Sequence, residues 1–213
     1  MAQFVLPHDV YAARDGDWII FLDIARNRYS AISALAAYYG DALVRREPFA
    51  TPKADGGLHV LLTAQGLLRP VDASKDGARA SAETASIGLG DGLAFASACV
   101  WFARRVRRGE LRPALERVQI RKLRAWRAPK RFASAAPAFA SYGAMRMWAP
   151  MPYVCLFNSL LLADYLLAHG IMCDLVFGVR ARPFAAHCWV EADGGVLDDG
   201  EEDCPSFVEI LRV

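Results

Sequence analysis

The sequence predicts an α+β protein with a small strand-rich N-terminal module and a larger helical domain that ends in a sheet. Two observations support this fold class. Short β-type segments joined by turn residues open the chain, at Val10–Arg14, Asp17–Asp23 and Arg28–Ile32. Helical patterns follow at Leu93–Val106, Leu111–Trp126 and from Cys155 through Ala168, and strands follow these at Asp174–Arg180, Ala186–Ala192 and Gly195–Asp199. Of the 213 residues, 54% are hydrophobic, which is enough for a packed core.

The N-terminal part also predicts two helices. Ser33 can cap a helix over Ala34–Val44, and Gly57–Gln65 has a second helical pattern that Gly66 would end. Residues 73–84 are small, polar and aperiodic, as in a linker. We therefore expect an N-terminal module over 1–75 and a C-terminal domain over 85–213.

Three short strands and small helices in this order resemble a winged-helix module. They look like the peptide-recognition elements of ribosomal-peptide biosynthesis, which bind a leader peptide as an added strand. In that mode an edge strand supplies main-chain hydrogen bonds and adjacent pockets select side chains. The candidate walls of such a site are Tyr29, Ile32, Leu58 and Leu62. The alternative is that these apolar side chains are simply core.

Charge is distributed unevenly along the chain, although the net charge is only +2. Residues 104–131 hold twelve Lys and Arg against two Glu, and residues 183–213 hold eight acids against Arg212. The basic segment is either a solvated helix surface or a docking face for an acidic partner. We expect no nucleic-acid partner, because the predicted 57–65 helix carries no Arg or Lys to contact bases.

Several classes of protein are disfavoured by composition. The longest apolar stretch, residues 153–168, is interrupted by Asn158 and Asp164 and is short for a membrane span, which needs about 20 residues. Five cysteines without a CxxC pair argue against a disulfide framework and against a zinc site. We expect a cytoplasmic protein that needs no metal or cofactor.

Cys155 is the first candidate catalytic residue. Pro150 and Pro152 bring an extended chain to it, and the long apolar helix begins there. Backbone N–H groups and the helix dipole at that position favour a thiolate and so lower the thiol pKa. The same N–H groups could stabilise an oxyanion during acyl transfer.

His187 is the second candidate. In a strand, alternate residues share a face, so His187, Trp189 and Glu191 point together and Cys188 points away. An acid on the next strand could orient the imidazole, which gives the Cys-His-Asp arrangement of a thiol hydrolase. The other cysteines are predicted to be structural, namely Cys99, Cys173, Cys188 and Cys204.

The C-terminal motifs resemble those of lasso-peptide biosynthesis B proteins over roughly residues 90–203. The motifs are CLFNSL from Cys155, the helix end at Gly170-Ile171, LVFGV, HCWVE from His187 and VLDD. The resemblance implies a papain-related, transglutaminase-like fold with Cys155 as nucleophile and His187 as base. It also implies two partners: a precursor whose leader is removed, and an ATP-dependent macrolactam cyclase. Two residues depart from the family pattern, Val154 in place of Arg and Cys188 in place of Ala.

The identity of the triad acid depends on strand register. A two-residue loop of Asp193 and Gly194 would place Asp198 opposite Trp189, whereas a three-residue loop would place Asp199 there. The family pattern of Asn then Asp at these positions selects Asp199. Two other functions stay open at this point: a non-catalytic scaffold that presents the precursor to the cyclase, and an acyltransferase or transglutaminase that uses the same triad.

Overall fold

The computed structural model describes residues 3–33, 40–50, 62, 64–65, 67–70, 91–147, 154–198 and 204–213. Leu58, Asp199 and the predicted linker lie outside these residues. The chain forms two compact units. The N-terminal unit comprises residues 1–79 with 179–185 and 208–210, and the C-terminal unit comprises 80–178, 186–207 and 211–213. The predicted domains, 1–75 and 85–213, stay a prediction.

An antiparallel meander dominates the N-terminal unit. Its strands are β2 (Val10–Asp15), β3 (Trp18–Asp23) and β4 (Arg28–Ser33), in the order β2-β3-β4. Gly16 has a φ of 55° in the first turn and Asn27 a φ of 47° in the second, a backbone region that Gly and Asn tolerate best. The three strands predicted from the sequence are confirmed to within two residues.

A second small sheet completes this unit and was not predicted. It pairs β1 (Gln3–Val5) with both β5 (Phe49–Ala50) and β6 (Arg69–Pro70), and a short helix, α1 (Gly40–Arg45), precedes β5. These strands have two or three residues each, too few to show a period. The predicted helix over 34–44 is confirmed from Gly40 onwards by α1. The predicted helix over 57–65 falls largely outside the described residues, so the winged-helix arrangement stays a prediction.

Three of the predicted wall residues of the peptide site lie within the described residues of the N-terminal unit. Leu62 is only 2% exposed and packs with Phe4, Ile19, Phe21 and other buried side chains. Its side chain is therefore part of the core, which is the alternative that the sequence left open, and its role as a wall of a leader site stays a prediction. Ile32 is half-buried against the same cluster. Tyr29 is also half-buried, with its ring edge-on to Phe184 at 5.8 Å between centroids.

Four helices and a sheet form the C-terminal half of the fold. The helices are α2 (Asp91–Arg107), α3 (Leu111–Ala125), α4 (Ala135–Arg146) and α5 (Cys155–Ala168). The strands are β7 (Asp174–Arg180), β8 (Ala185–Ala192), β9 (Gly195–Val196) and β10 (Val208–Arg212), in the order β10-β7-β8-β9. The mixed helix and sheet class is confirmed, while α4 and β10 were not predicted. In the described part of the chain, no helix combines the length and apolar character that crossing a bilayer requires.

Helix α5 is the centre of the C-terminal unit, since ten of its fourteen residues are buried. Its one acidic residue, Asp164, is 3% exposed. Arg117 of α3 donates two hydrogen bonds of 2.8 Å to that carboxylate, and Arg121 donates a third at 3.1 Å. A buried carboxylate is tolerated only with partners of this kind, so the ion pairs lock α3 to α5.

The basic segment therefore has a structural role along part of its length. Besides Arg117 and Arg121, Lys122 pairs with Asp174 at the start of β7, and Arg105 pairs with Glu110. Other members are exposed and have no ion-pair partner among the described residues, namely Arg104, Arg107, Arg108, Arg124, Arg127 and Lys130. These exposed cations fit the reading of a solvated surface and equally that of an acidic docking face.

We predict that Asp164→Asn lowers the free energy of unfolding by about 2 to 4 kcal/mol. Breaking a buried ion pair costs about 3 to 5 kcal/mol, and the two arginines keep some access to water. Glu116→Gln is the matched control, because Glu116 is an exposed carboxylate on α3, and we expect a change below about 1 kcal/mol. Urea denaturation of both variants measures the difference. Equal stabilities would show that the Asp164 pairs contribute nothing net.

Candidate active site

Cys155 is the first residue of α5, as the sequence predicted, and its side chain is exposed. Val154 precedes it in an extended conformation, with φ −111° and ψ 124°, and offers no side-chain cap to the helix. The first intrahelical bond runs from the Asn158 N–H to the Val154 carbonyl at 3.0 Å. The amides at the start of the first turn are therefore available to a negatively charged group near Cys155.

Polar side chains in the first turns of α5 fix the position of this helix. Ser159 Oγ donates to the Cys188 carbonyl of β8 at 3.0 Å. Asn158 Oδ1 accepts from Arg146 Nε at 2.8 Å and from Arg146 Nη2 at 2.6 Å. Arg146 is 3% exposed, and its guanidinium lies 5.3 Å above the Phe157 ring. Helix α5 is thus held by β8 on one side and by the end of α4 on the other.

His187 lies on β8 and is half-buried. Its ring centroid is 5.9 Å from that of Trp189 and 5.4 Å from that of Phe207. Trp189 Nε1 donates in turn to Glu191 Oε1 at 2.8 Å. These contacts confirm that His187, Trp189 and Glu191 share a face of the strand. The imidazole is also hydrogen-bonded to the Cys155 thiol, so the structure brings the two predicted residues together.

The pKa of Cys155 is lowered to about 5. The largest cause is a hydrogen bond from the Cys188 thiol, which stabilises the thiolate. Partial burial opposes this effect, and the hydrogen bond and charge of His187 and the Leu156 N–H lower the pKa further. At neutral pH, Cys155 is accordingly a thiolate, the form in which cysteine acts as a nucleophile.

Cys188 is the residue whose role the sequence misjudged. It was predicted to be structural because it points away from the His187 face. However, α5 contacts this residue twice: Ser159 donates to its backbone carbonyl, and its thiol interacts with that of Cys155. Its thiol is 3% exposed, and its pKa is raised well above the ordinary value by the hydrogen bond to Cys155 and by burial. The available signal was that Cys188 departs from the family pattern beside His187.

The β8-β9 hairpin has the shorter of the two loops considered. Glu191 pairs with Val196 and Ala192 with Gly195, so the loop consists of Asp193 and Gly194. Both loop residues have positive φ, 50° and 83°, as two-residue hairpin turns of type I′ require. The three-residue loop behind the choice of Asp199 is therefore wrong. Asp199 itself lies outside the described residues.

Asp198 has a bracing role that the sequence analysis missed. Strand β9 ends at Val196, so the alternation of a strand does not extend to this residue. Its Oδ1 accepts from the Val190 N–H at 2.7 Å, and its Oδ2 accepts from Ser159 Oγ at 2.5 Å. The carboxylate thus joins β8 to the second turn of α5. Ser159, a polar residue four positions after Cys155 in an apolar helix, was the sequence signal for this brace.

Metal ligands are not clustered in the described residues: no group of three or more His, Cys, Asp or Glu side chains is placed to hold an ion. The chemistry available at this end of α5 is instead that of an activated thiol. A thiolate beside an imidazole can attack a carbonyl carbon, and the uncapped amides can receive the resulting negative charge.

Comparisons with known proteins identify the same part of the chain. The family model of the transglutaminase-like superfamily matches residues 94–212, which is more than half of the sequence. Searches of the curated proteins and of the solved structures found no significant match. The matched range includes Cys155, Cys188, His187 and Asp198, so the site described here lies within the family domain.

We predict that the rate of Cys155 alkylation by iodoacetamide rises through a midpoint at pH about 5 and is level above it. The thiolate reacts and the thiol does not, so the rate follows deprotonation. Cys188→Ala should move the midpoint to higher pH, because it removes the largest cause of the lowered pKa. Cys173→Ala is the control and should leave the midpoint in place. Mass spectrometry of the alkylated peptide gives the rates, and coinciding midpoints in all three proteins would contradict the assignment.

Proposed function

Because the chain belongs to the transglutaminase-like superfamily, we propose that it is a cysteine peptidase that removes the leader from a lasso-peptide precursor. A partner cyclase that uses ATP would then close the macrolactam ring. The family match supports the thiol chemistry in general. The motif resemblance around Cys155 and His187 supports the substrate, as does the presence of a separate N-terminal unit.

The observation that carries this proposal is the contact of a low-pKa thiolate at a helix N-terminus with an imidazole. In the proposed reaction, Cys155 Sγ attacks the carbonyl carbon at the leader–core junction. The carbonyl oxygen becomes an oxyanion beside the first-turn amides of α5. His187, as the imidazolium partner of the thiolate, then donates its proton to the leaving amine as the C–N bond breaks, which leaves a thioester on Cys155.

Hydrolysis of this thioester completes the cycle. His187 takes a proton from water, and the hydroxide adds to the thioester carbon. The C–S bond then breaks, which restores the Cys155 thiolate and releases the leader as a free acid. An amine in place of water would give transfer instead of hydrolysis, which is the acyltransferase alternative. The exposed position of Cys155 favours water, the more abundant nucleophile.

Asp199 remains our proposed orienting acid for His187. Both oxygens of its neighbour Asp198 already accept hydrogen bonds, from Val190 and from Ser159. Through these bonds Asp198 joins β8 to α5, and Asp199 follows it directly in the chain. An acid that fixes the imidazole orientation also stabilises the imidazolium that forms when His187 takes a proton from water.

The leader would bind to the N-terminal unit as an added strand. In the order β2-β3-β4, β4 is an edge strand among the described residues. Tyr29 and Ile32 lie on β4, opposite Leu22 and Ile19 respectively, and so on opposite faces of the sheet. Since the side chains of an added strand also alternate, Tyr29 and Ile32 would each contact a different set of leader residues.

We predict that Cys155→Ala and His187→Gln each lower kcat for precursor cleavage by at least about a thousandfold, because each removes a group that acts on the reacting atoms. Cys173→Ala, which changes another buried cysteine, should keep normal turnover. Chromatography and mass spectrometry of a precursor incubated with each protein measure cleavage. Cleavage by Cys155→Ala would refute the thiol mechanism, and an amine-linked product in place of a free leader acid would establish transfer.

The two aspartates can be distinguished in the same assay. Asp199→Asn should lower kcat and leave the urea midpoint unchanged. Asp198→Asn should lower the urea midpoint, since its carboxylate ties α5 to β8. The opposite pattern would transfer the orienting role to Asp198.

We predict that Tyr29→Ala weakens binding of a fluorescently labelled leader peptide at least about fivefold, a loss of roughly 1 kcal/mol typical of a contributing apolar contact. Leu93→Ala is the control, because Leu93 is 77% exposed on α2 and belongs to the C-terminal unit. Anisotropy titrations give both dissociation constants. Equal affinities for the two variants would remove β4 from the leader site.

A further inference from the structure

Two cysteines meet at the candidate active site, although the protein needs only one as a nucleophile. Cys155 is exposed and Cys188 is buried, and each thiol shifts the pKa of the other, downwards for Cys155 and upwards for Cys188. Ser159, one helical turn after Cys155, ties the two segments together, because its Oγ donates to the Cys188 carbonyl at 3.0 Å. The contact is thus built into the packing of α5 on β8.

We propose that Cys155 and Cys188 form an oxidant-sensing dithiol, in which a hydroperoxide oxidises Cys155 and Cys188 then closes a reversible disulfide with it. The oxidant is a hydroperoxide, and the reductant that restores the pair is an external dithiol. The idea that this disulfide controls peptidase activity rests on the proposed function. Formation of the disulfide does not.

The first step uses the properties of Cys155. Its thiolate sulfur attacks the terminal oxygen of the hydroperoxide, so an S–O bond forms and the O–O bond breaks. The departing alkoxide or hydroxide takes a proton and leaves as an alcohol or water. The sulfur loses two electrons to the hydroperoxide and becomes a sulfenic acid. Oxidation of this kind selects exposed thiols with a lowered pKa, and Cys155 has both properties.

The second step uses Cys188. Its sulfur attacks the Cys155 sulfur, an S–S bond forms, and the S–O bond breaks to release hydroxide. The hydroxide takes the Cys188 proton and leaves as water. The hydrogen bond to the Cys155 thiolate is the largest cause of the raised pKa of Cys188. Oxidation of Cys155 removes that thiolate. The pKa of Cys188 should therefore fall, so that its thiol ionises more readily.

No other cysteine is as well placed for this reaction among the described residues. Cys173 is buried, its thiol is directed to the Ala163 carbonyl at 3.9 Å, and its pKa is raised to about 12. Cys204 packs with Val176 and Trp189, and Trp189 shares a face of β8 with His187 and not with Cys188. Cys99, on α2, is also buried, and burial raises the pKa of its thiol. We therefore expect the disulfide from Cys155 to form with Cys188.

The physical consequence is protection of the nucleophile. A sulfenic acid without a neighbouring thiol is oxidised further to sulfinic and sulfonic acids, which dithiols do not reduce. The disulfide stops this sequence at a state that thiol–disulfide exchange reverses. While it persists, Cys155 has no thiolate and His187 has no partner to activate.

The test treats the reduced full-length protein with excess hydrogen peroxide at neutral pH and follows it by intact mass and by non-reducing peptide mapping. We expect the wild type to lose the mass of two hydrogen atoms, to yield a Cys155–Cys188 linked peptide, and to regain its original mass with dithiothreitol. Cys188→Ala should instead gain two or three oxygen atoms on Cys155, form a dimedone adduct during the reaction, and resist dithiothreitol. Cys173→Ala is the matched control and should behave as the wild type.

Every outcome of this experiment either supports or refutes the dithiol. A wild type that accumulates oxygen on Cys155, links Cys155 to another cysteine, or does not react would overturn it. Cys188→Ser, which nearly preserves side-chain volume, gives the same comparison if the alanine variant does not fold. Because the readout is mass and not cleavage, the two proposals fail separately. Disulfide formation in a protein that leaves precursor intact refutes the peptidase alone, and cleavage without disulfide formation refutes the dithiol alone.

Discussion

The contact between α5 and β8 is the constraint on which the rest of the site depends. Ser159 has one hydroxyl proton and two acceptors within reach, the Cys188 carbonyl at 3.0 Å and Asp198 Oδ2 at 2.5 Å. The carboxylate in turn accepts the Val190 N–H of the same strand. Helix, strand and the chain after β9 are therefore joined at one buried point. Cys155 lies one turn from that point, so its position relative to His187 follows from this junction.

Buried charge makes the same helix rigid at two further places. Asp164, in the C-terminal half of α5, is paired with two arginines of α3. Asn158, in the first turn of α5, accepts hydrogen bonds from the buried guanidinium of Arg146. Buried polar groups without such partners would cost more than the folded state could supply. A helix tied to α3, to α4 and to β8 cannot shift its first turn without breaking one of these sets of bonds. The nucleophile is held by groups that take no part in its chemistry.

The Cys188 thiol has two consequences for Cys155 that come from one contact. By donating a hydrogen bond it stabilises the thiolate and lowers the pKa to about 5. A thiolate is also the form that oxidants attack, so the same contact that favours nucleophilic attack raises the sensitivity to peroxide. The contact places the second sulfur where it can limit the damage. Alanine at this position could provide neither effect.

The sequence by itself determined the local features of this protein. The period of apolar residues located α5 and β7 to the residue and the meander strands nearly so, and proline, glycine and cysteine positions placed Cys155 at the start of a helix. Only the tertiary structure decided which side chains meet. In the structure Leu62 lies in the core, Asp198 is a brace, the hairpin has the two-residue loop, and α5 packs against β8 at Cys188. The physical reason is that periodicity specifies which face of an element is buried, whereas the partner that buries it is set by contacts far apart in sequence. Ser159 and Cys188, 29 residues apart, are such a pair.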